Sequence, residues 1–276
     1  MTIRSSQVRT SVDKNLRTIL AEESGEIIAV DLDEDSTREL VEILAESDDP
    51  PKARLLVEED VLKWVRDDFE LASTAAELLE SDILEVRAAT DRLDGAVVVT
   101  GERVISLLTP DDEHSAALVT DDEEFVGTAR NHRNDLWEGG EEFALRTPAY
   151  TRVLDSLGEE FSSEMVSEFR TVLESVGEMD DDELDEVDVS LLVAAKHNQL
   201  LYDISQWGED IGVASRATFS RTKTRLEEQG LIETEKVPIE VGRPRLRLLL
   251  GDERLREADA EELASVAREL LSAVPA

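Results

Sequence analysis

The stretch SRATFSRTKTRLEEQGLIE, residues 215–233, has the pattern of a capped helix that runs into a β-strand. Ser215 is a residue type that caps helix N-termini, and Gly230 is the type that commonly ends helices. Phe219, Thr222 and Leu226 follow one another at helical spacing, which places them on one face. The stretch therefore predicts a helix with one buried face, ending just before Gly230.

Two apolar helical segments precede this stretch and a hairpin pattern follows it. The expected elements are helices at 188–199 and 200–211, a turn at 212–214, strands at 231–237 and 245–250, and a wing at 238–244. Asp188 is the expected N-cap of the first helix, because Asp favours that position. Three helices followed by a two-stranded hairpin are the elements of a winged helix-turn-helix domain.

Residues 188–250 carry no net charge in a chain that is otherwise strongly acidic. The whole chain has 66 Asp and Glu against 29 Lys and Arg, a net charge of −37, whereas this segment holds nine of each sign. A local loss of acidity marks a surface that can approach a polyanion. The segment therefore predicts double-stranded DNA as a partner.

Hydroxyl side chains and arginines near the start of a recognition helix can reach base edges in the major groove. Arginines further along that helix and on the wing neutralise phosphates. The residues expected to contact DNA are Arg216, Thr218, Ser220, Arg221, Thr224, Arg225, Arg243 and Arg245. The alternative is a solvated basic face on a winged-helix scaffold module that binds protein and no DNA.

The first 145 residues alternate strand-like and helix-like segments, which is typical of an α/β domain with a mixed sheet. The expected strands are 26–30, 53–57, 83–88, 95–100, 103–108 and 115–120, and the expected helices are 5–22, 34–46, 59–81 (bent or broken) and 122–138. Residues 146–187 are expected to form a helical connector with an acidic junction at 179–188. Residues 251–276 are expected to form a C-terminal helix that either pairs two subunits or packs back on its own domain.

Two parts of the chain resemble known regulators. The segment 188–250 resembles winged helix-turn-helix transcription regulators, most specifically where RLEEQGLI (225–232) runs into the hairpin. GAVVVTGERVISLLT (95–109) and AALVTDDEEFVGTARNHRNDLWEGGEEF (116–143) resemble the end of the phospholipase-D-like effector domain in archaeal TrmB-type sugar-responsive regulators, although those carry their winged domain first. In its domain order the chain resembles haloarchaeal regulators of the TbsP type.

This resemblance implies a DNA-binding regulator of central carbon or sugar metabolism. It implies an effector-like first domain that senses a small metabolite. A homodimer is the expected form, and it acts as a repressor or, alternatively, as an activator. The acidic composition, with 4% aromatic residues, resembles cytoplasmic proteins of salt-loving archaea. The N-terminus lacks a secretion signal and no run of residues is apolar enough for a membrane helix, so we expect a cytoplasmic protein without a membrane partner.

The residues that catalysis needs are missing from the expected places. The chain has no cysteine, which excludes disulfides and thiolate metal sites. A phospholipase-D active site needs a His two residues before a Lys, and none of His114, His132 and His197 has a Lys at that spacing. We therefore expect no catalytic residue, no metal and no cofactor, and we rank an enzyme after the regulator and the scaffold module.

Overall fold

The chain divides into two units, Met1–Ala149 and Tyr150–Ala276, each with its own contacts. The computed structural model describes residues 6–9, 16–17, 20, 25–111, 114–177, 184–239 and 243–273. Among these residues every helix falls short of the length and apolar character that a bilayer span requires.

The first unit is an α/β unit built on a mixed sheet, which confirms the predicted fold class. Its elements are β1 Ser6–Arg9, β2 Glu26–Val30, α1 Glu34–Glu46, β3 Lys52–Val57, α2 Glu59–Asp67, α3 Phe69–Glu80, β4 Leu84–Ala88, β5 Val97–Val99, β6 Val104–Asp111, β7 His114–Thr120, α4 Glu123–Gly139 and β8 Glu141–Glu142. The eight strands lie in the order β1-β7-β6-β5-β2-β3-β4-β8. Strands β2, β3 and β4 run parallel, and every other pairing in this sheet is antiparallel.

Strand β2 lies at the centre of this unit because both of its faces are apolar. Ile27 and Ala29 belong to the larger core cluster, which helices α1 to α3 cover. Ile28 and Val30 point to the opposite face and pack with Trp137 of α4. A strand buried on both faces is an apolar run, as EIIAV is, and does not alternate.

The predicted helix at 5–22 is wrong at its beginning. Residues Ser6–Arg9 form strand β1, which pairs antiparallel with β7 in the register Ser6↔Leu118. The edge of β7 offers unpaired backbone groups, and pairing with it satisfies them. That edge lies more than a hundred residues away in the sequence, so local periodicity could not reveal it.

The predicted helix at 59–81 is broken at Asp68. The carboxylate of Asp68 accepts a hydrogen bond from the backbone N–H of Leu71 at 3.0 Å, which caps α3. Its own N–H donates to the carbonyl of Trp64 at 3.3 Å and closes α2. One residue therefore ends one helix and begins the next.

The second unit contains the predicted winged helix-turn-helix. Its elements are α5 Tyr150–Glu160, α6 Ser163–Gly177, α7 Glu186–Lys196, α8 Leu201–Ile211, α9 Arg216–Glu228, β9 Ile232–Val237, β10 Arg245–Leu250, α10 Glu253–Glu257 and α11 Ala260–Ala273. Strands β9 and β10 form a separate antiparallel hairpin in the register Arg245↔Val237 to Leu250↔Ile232. The C-terminal segment forms two helices, with α10 ending at the C-cap Ala258.

The helices on both sides of the winged elements pack against them. The rings of Phe169 on α6 and Trp207 on α8 meet edge to face at 6.4 Å, and Trp207 donates from Nε1 to Ser156 of α5 at 2.9 Å. Helix α11 packs on α6 and buries Leu263 and Ala267. The sequence predicted that the C-terminal helix either pairs two subunits or packs on its own domain. The structure shows it packed within its own unit. Half of the predicted acidic junction, residues 179–183, lies outside the described residues.

Candidate DNA-binding surface

Helix α9 begins and ends as the sequence predicts. The hydroxyl of Ser215 accepts a hydrogen bond from the backbone N–H of Thr218 at 3.2 Å and so caps the helix. Gly212, in the left-handed conformation with φ 94°, ends α8 and turns the chain toward α9. Gly230, with φ 76°, ends α9, because glycine adopts this conformation without a steric penalty.

The buried face of α9 sets its position on the domain. Phe219, Thr222 and Leu226 are all buried, as their spacing predicts. The ring of Phe219 lies directly against Gly208 of α8, where an added Cβ would come within 2.2 Å of a ring carbon. Only glycine allows the two helices to approach this closely, so this contact fixes the orientation of α9 relative to α8.

The opposite face of α9 carries the residues predicted to contact bases. Arg216, Ser220, Arg221 and Thr224 are exposed, and Thr218 is half-buried. The guanidinium of Arg221 lies 3.4 Å from the hydroxyl of Thr218, and the hydroxyl of Thr224 donates to the carbonyl of Ser220 at 3.0 Å. The first two turns of α9 therefore present a guanidinium group and hydroxyl groups together to solvent.

Arg225 has a partner that the sequence did not indicate. Its Nη2 donates to both carboxylate oxygens of Asp188 at 2.5 and 2.6 Å, and the Asp188 side chain is only 1% exposed. The expectation that Asp188 caps α7 is wrong: Asp185 is the N-cap, and Asp188 completes a capping box by accepting from the Asp185 N–H. Arg225 thus ties α9 to α7, and its contact with DNA stays a prediction.

The carboxylates at the start of α7 have unusual proton affinities. Burial raises the pKa of Asp188 to about 6; Asp185 also raises it, and Arg225 acts in the opposite direction. Burial raises the pKa of Glu186 to about 7, with Asp185 and Asp188 adding to the shift. These two groups therefore titrate near neutral pH.

The carboxylate of Glu227 on α9 binds both a lysine of the same helix and a threonine of the hairpin. Lys223 donates to Glu227 at 2.8 Å, and the hydroxyl of Thr234 on β9 donates to the other oxygen of the same carboxylate at 2.7 Å. The hydrogen bond from Lys223 is the main cause that lowers the pKa of Glu227, and Thr234 contributes further. The Thr234 hydrogen bond thereby joins strand β9 of the hairpin to the recognition helix.

The two predicted wing arginines differ in their surroundings. Arg243 is exposed and has no ion pair within the described part of the chain, which leaves out residues 240–242 of the wing. Arg245 pairs with Asp203 of α8 at 3.1 Å, and its guanidinium lies 4.0 Å from the ring centre of Tyr202. The wing therefore presents one arginine that is unpaired among described residues and one that is already engaged.

Sequence reasoning missed Tyr202. Its side chain is 43% exposed at the start of α8, and the guanidinium of Arg216 lies over the same ring at 5.9 Å. One tyrosine thus contacts an arginine from the recognition helix and another from the hairpin. An aromatic residue at a solvent-facing helix position was the available signal, in a chain that is only 4% aromatic.

Most cations of the segment 188–250 are paired with carboxylates. Among the described residues the pairs are Lys196–Glu168, Arg216–Glu209, Lys223–Glu227, Arg225–Asp188, Arg245–Asp203 and Arg247–Glu235. Arg221, Lys236 and Arg243 have no such pair there. The histidine of this segment, His197, contacts Glu168 at 3.0 Å, in agreement with a structural role.

A groove lies in the described part of the first unit. It has a volume of about 520 Å³ and is lined by Asp31, Leu32, Asp33, Glu34, Asp35, Glu58 and Val61. Five carboxylates line it, so it disfavours an anionic ligand such as a phosphate ester. Among the described residues, no three or more His, Asp or Glu side chains are arranged so that they could hold a metal ion.

Comparisons with known proteins give matches to solved structures and to family models. No curated protein matches the chain. Several solved structures match the chain, and two of them resemble it only weakly. One is TrmBL2, an archaeal chromatin protein described as showing a novel mode of DNA binding (17% identity, 52% of this chain and 56% of that chain, TM-score 0.38). The other is Nuc from Salmonella typhimurium, a phospholipase D family member (14% identity, 50% and 97%, TM-score 0.37). The match thus spans little more than half of the TrmBL2 chain.

Family models match almost the whole length. The model described as "Transcriptional regulator TbsP-like, N-terminal" matches residues 4–148, and the model of the TbsP-like C-terminal HTH domain matches residues 149–268. The boundary between the two models falls at the boundary between the two structural units. The chain therefore belongs to the family of TbsP-like transcriptional regulators, with a helix-turn-helix domain as its second part.

Proposed function

We propose that this regulator binds double-stranded DNA with the exposed face of α9 in the major groove and with the wing on the backbone. Thr218, Ser220 and Arg221 then contact base edges, Arg216 contacts a phosphate beside them, and Thr224 and Arg225 lie further along the groove. Arg243 and Arg245 contact phosphates or the minor groove. The observation that carries the proposal is the exposed, hydroxyl- and arginine-bearing start of α9, opposite a face that is buried.

We further propose that the protein acts as a homodimer on a two-fold symmetric site, because paired half-sites supply avidity that a single domain lacks. As a repressor of sugar or central carbon metabolism it would respond to a metabolite bound by the first unit. The acidic groove favours a neutral or cationic metabolite over a phosphorylated one. Genome-wide occupancy measured with and without glucose tests this role: occupancy independent of carbon source contradicts it.

The test of DNA binding compares two exposed arginines in the full chain. Arg221→Ala should weaken binding to the best genomic fragment by about 1–3 kcal/mol if the side chain reads a base. Arg170→Ala removes an exposed arginine from α6 in the same unit and should leave affinity unchanged. Fluorescence anisotropy at several KCl concentrations measures both variants.

The scaffold alternative makes the opposite prediction. A winged-helix module that only binds protein shows no sequence preference among DNA fragments at any KCl concentration. Equal affinities for Arg221→Ala and Arg170→Ala, with both variants folded, would also place the DNA contact away from α9.

A further inference from the structure

Two arginines of the proposed DNA-binding surface are held by carboxylates of helix α8. Nε of Arg216 lies 2.7 Å from Glu209, and Nη1 of Arg245 lies 3.1 Å from Asp203. All four side chains remain between 33% and 44% exposed. Both guanidinium groups also lie over the ring of Tyr202. Each arginine therefore has a fixed position, an internal anionic partner and access to solvent.

We propose that Asp203 and Glu209 compete with DNA phosphates for these two arginines, and that this exchange makes DNA binding less sensitive to salt. The inference rests on the proposed DNA-binding function and adds two residues that govern it. In the free protein each carboxylate occupies the place that a phosphate takes in the complex. Tyr202 keeps both guanidinium groups at the surface during the exchange, because its ring attracts them without neutralising them.

The physical basis is the balance of ions. When an unpaired arginine binds a phosphate, about 0.9 condensed counterion per contact is released from the duplex, so affinity falls as salt rises. When the arginine first leaves a carboxylate, that carboxylate is freed beside a line of phosphates and attracts a cation from solution. Release and uptake then partly cancel, and the salt dependence of that contact is reduced.

The exchange is feasible because the internal pairs are weak. Ion pairs between partly exposed side chains contribute little to stability, since water screens them. A DNA phosphate offers the arginine an equivalent anion, and the other phosphates of the duplex lie in a closely spaced row beside it. The pair Arg225–Asp188 differs, because its carboxylate is only 1% exposed and cannot take up a cation from solution. We therefore assign the exchange to Asp203 and Glu209 and not to Asp188.

The experiment measures DNA affinity of the full chain from about 0.1 to 2 M KCl, on one genomic fragment, for three proteins. The exchange variant Asp203→Asn/Glu209→Gln removes the two competing charges and keeps the shape of both side chains. The matched control Asp210→Asn/Glu228→Gln removes the same total charge from α8 and α9. Neither Asp210 nor Glu228 has an ion pair among the described residues, and both are exposed.

The exchange variant should bind more tightly than the wild type at the lowest KCl concentration. Its log K should fall more steeply with log[KCl], by about one to two units per decade, because two contacts regain the full release of about 0.9 ion each. The control should give a slope equal to that of the wild type. Circular dichroism establishes that all three proteins are folded.

Four other outcomes overturn the inference. Equal slopes for the wild type and the exchange variant show that the carboxylates do not compete, and leave the proposed function intact. The same steepening in the control shows a general effect of net charge. Weaker binding of the exchange variant at low salt shows that the carboxylates only position the arginines. If none of the three proteins binds DNA at any salt concentration, the proposed function fails and this inference fails with it.

Discussion

Arg225 and Asp188 join the last turn of α9 to the first turn of α7 through two hydrogen bonds from one guanidinium nitrogen, at 2.5 and 2.6 Å. The carboxylate is buried, whereas the Arg225 side chain is 41% exposed. The pair therefore neutralises a charge inside the unit and leaves part of the arginine at the surface. It also makes the position of the recognition helix depend on the start of the first helix of the winged domain.

Replacing Arg225 with Ala should lower the free energy of unfolding of the second unit by about 1–3 kcal/mol at pH 8. The loss follows from leaving a buried carboxylate without its partner. The partial exposure of Arg225 keeps the expected value at the lower end of what a buried pair costs. Denaturant unfolding followed by 19F NMR of fluorotryptophan at Trp207 measures it. Arg170→Ala is the control. If Arg225→Ala loses no more stability than Arg170→Ala does, the stabilising role of the Arg225–Asp188 pair is contradicted.

The raised pKa of Glu186, about 7, predicts how stability depends on pH. Because the folded state holds this proton more tightly than the unfolded state, the free energy of unfolding falls as pH rises from about 4.5 to 7. Glu186→Gln removes the ionisation, so the variant should gain about 1–3 kcal/mol relative to the wild type between pH 5 and pH 8. Asp188 shifts stability in the same direction over a lower range.

The control for this pH experiment is Glu159→Gln, which changes an exposed carboxylate on α5. Its difference from the wild type should stay within about 0.5 kcal/mol at both pH values. Parallel stability curves for Glu186→Gln and the wild type would falsify the desolvation of the Glu186 carboxylate.

Gly208→Ala should destabilise the second unit, although alanine normally favours a helix by about 1 kcal/mol over glycine. The new methyl group would lie 2.2 Å from the ring of Phe219, which is fully buried. We expect a net loss of about 1–3 kcal/mol from this overpacking. Thermal unfolding measures the change.

Gly127→Ala provides the matched control for that substitution. Gly127 lies in helix α4, where an added Cβ meets no heavy atom within 4 Å. This variant should therefore gain up to about 1 kcal/mol from helix propensity alone. Stabilisation by both substitutions contradicts the close approach of α8 and α9.

The elements that the sequence predicts well are those whose signals are local. The Ser215 cap, the Gly212 and Gly230 turns and the apolar spacing of Phe219 and Leu226 all lie within one helix or its ends, and the structure confirms each. Local signals also predicted six of the eight strands of the mixed sheet, β2 to β7, to within a few residues. The spacing of apolar residues and the residue types typical of turns are sufficient to predict such elements.

Most of the misses depend on residues far apart along the chain; the N-cap of α7, found at Asp185 and predicted at Asp188, is a local one. Arg225 and Asp188 are 37 residues apart, so the pair arises only after α7 and α9 have packed. Strand β1 depends on the edge of β7, and α6 reaches the winged elements through the contact of Phe169 with Trp207. Charged residues in a chain with 66 carboxylates offer many equivalent partners, and only the fold selects among them.

The wing and the recognition helix should differ in how their arginines contribute to binding. Arg243 is exposed and has no ion pair among the described residues, so a phosphate contact by this residue releases ions without any exchange. Arg243→Ala should weaken binding to cognate and unrelated duplexes by the same factor and make the slope of log K against log[KCl] shallower by about 0.9. Arg221→Ala should instead reduce the preference for the cognate duplex. Titrations of both duplexes at three KCl concentrations compare the two variants. A loss for Arg243→Ala that is confined to one base pair of the site would make the wing a reader of sequence, and the division of roles between wing and helix would then be wrong.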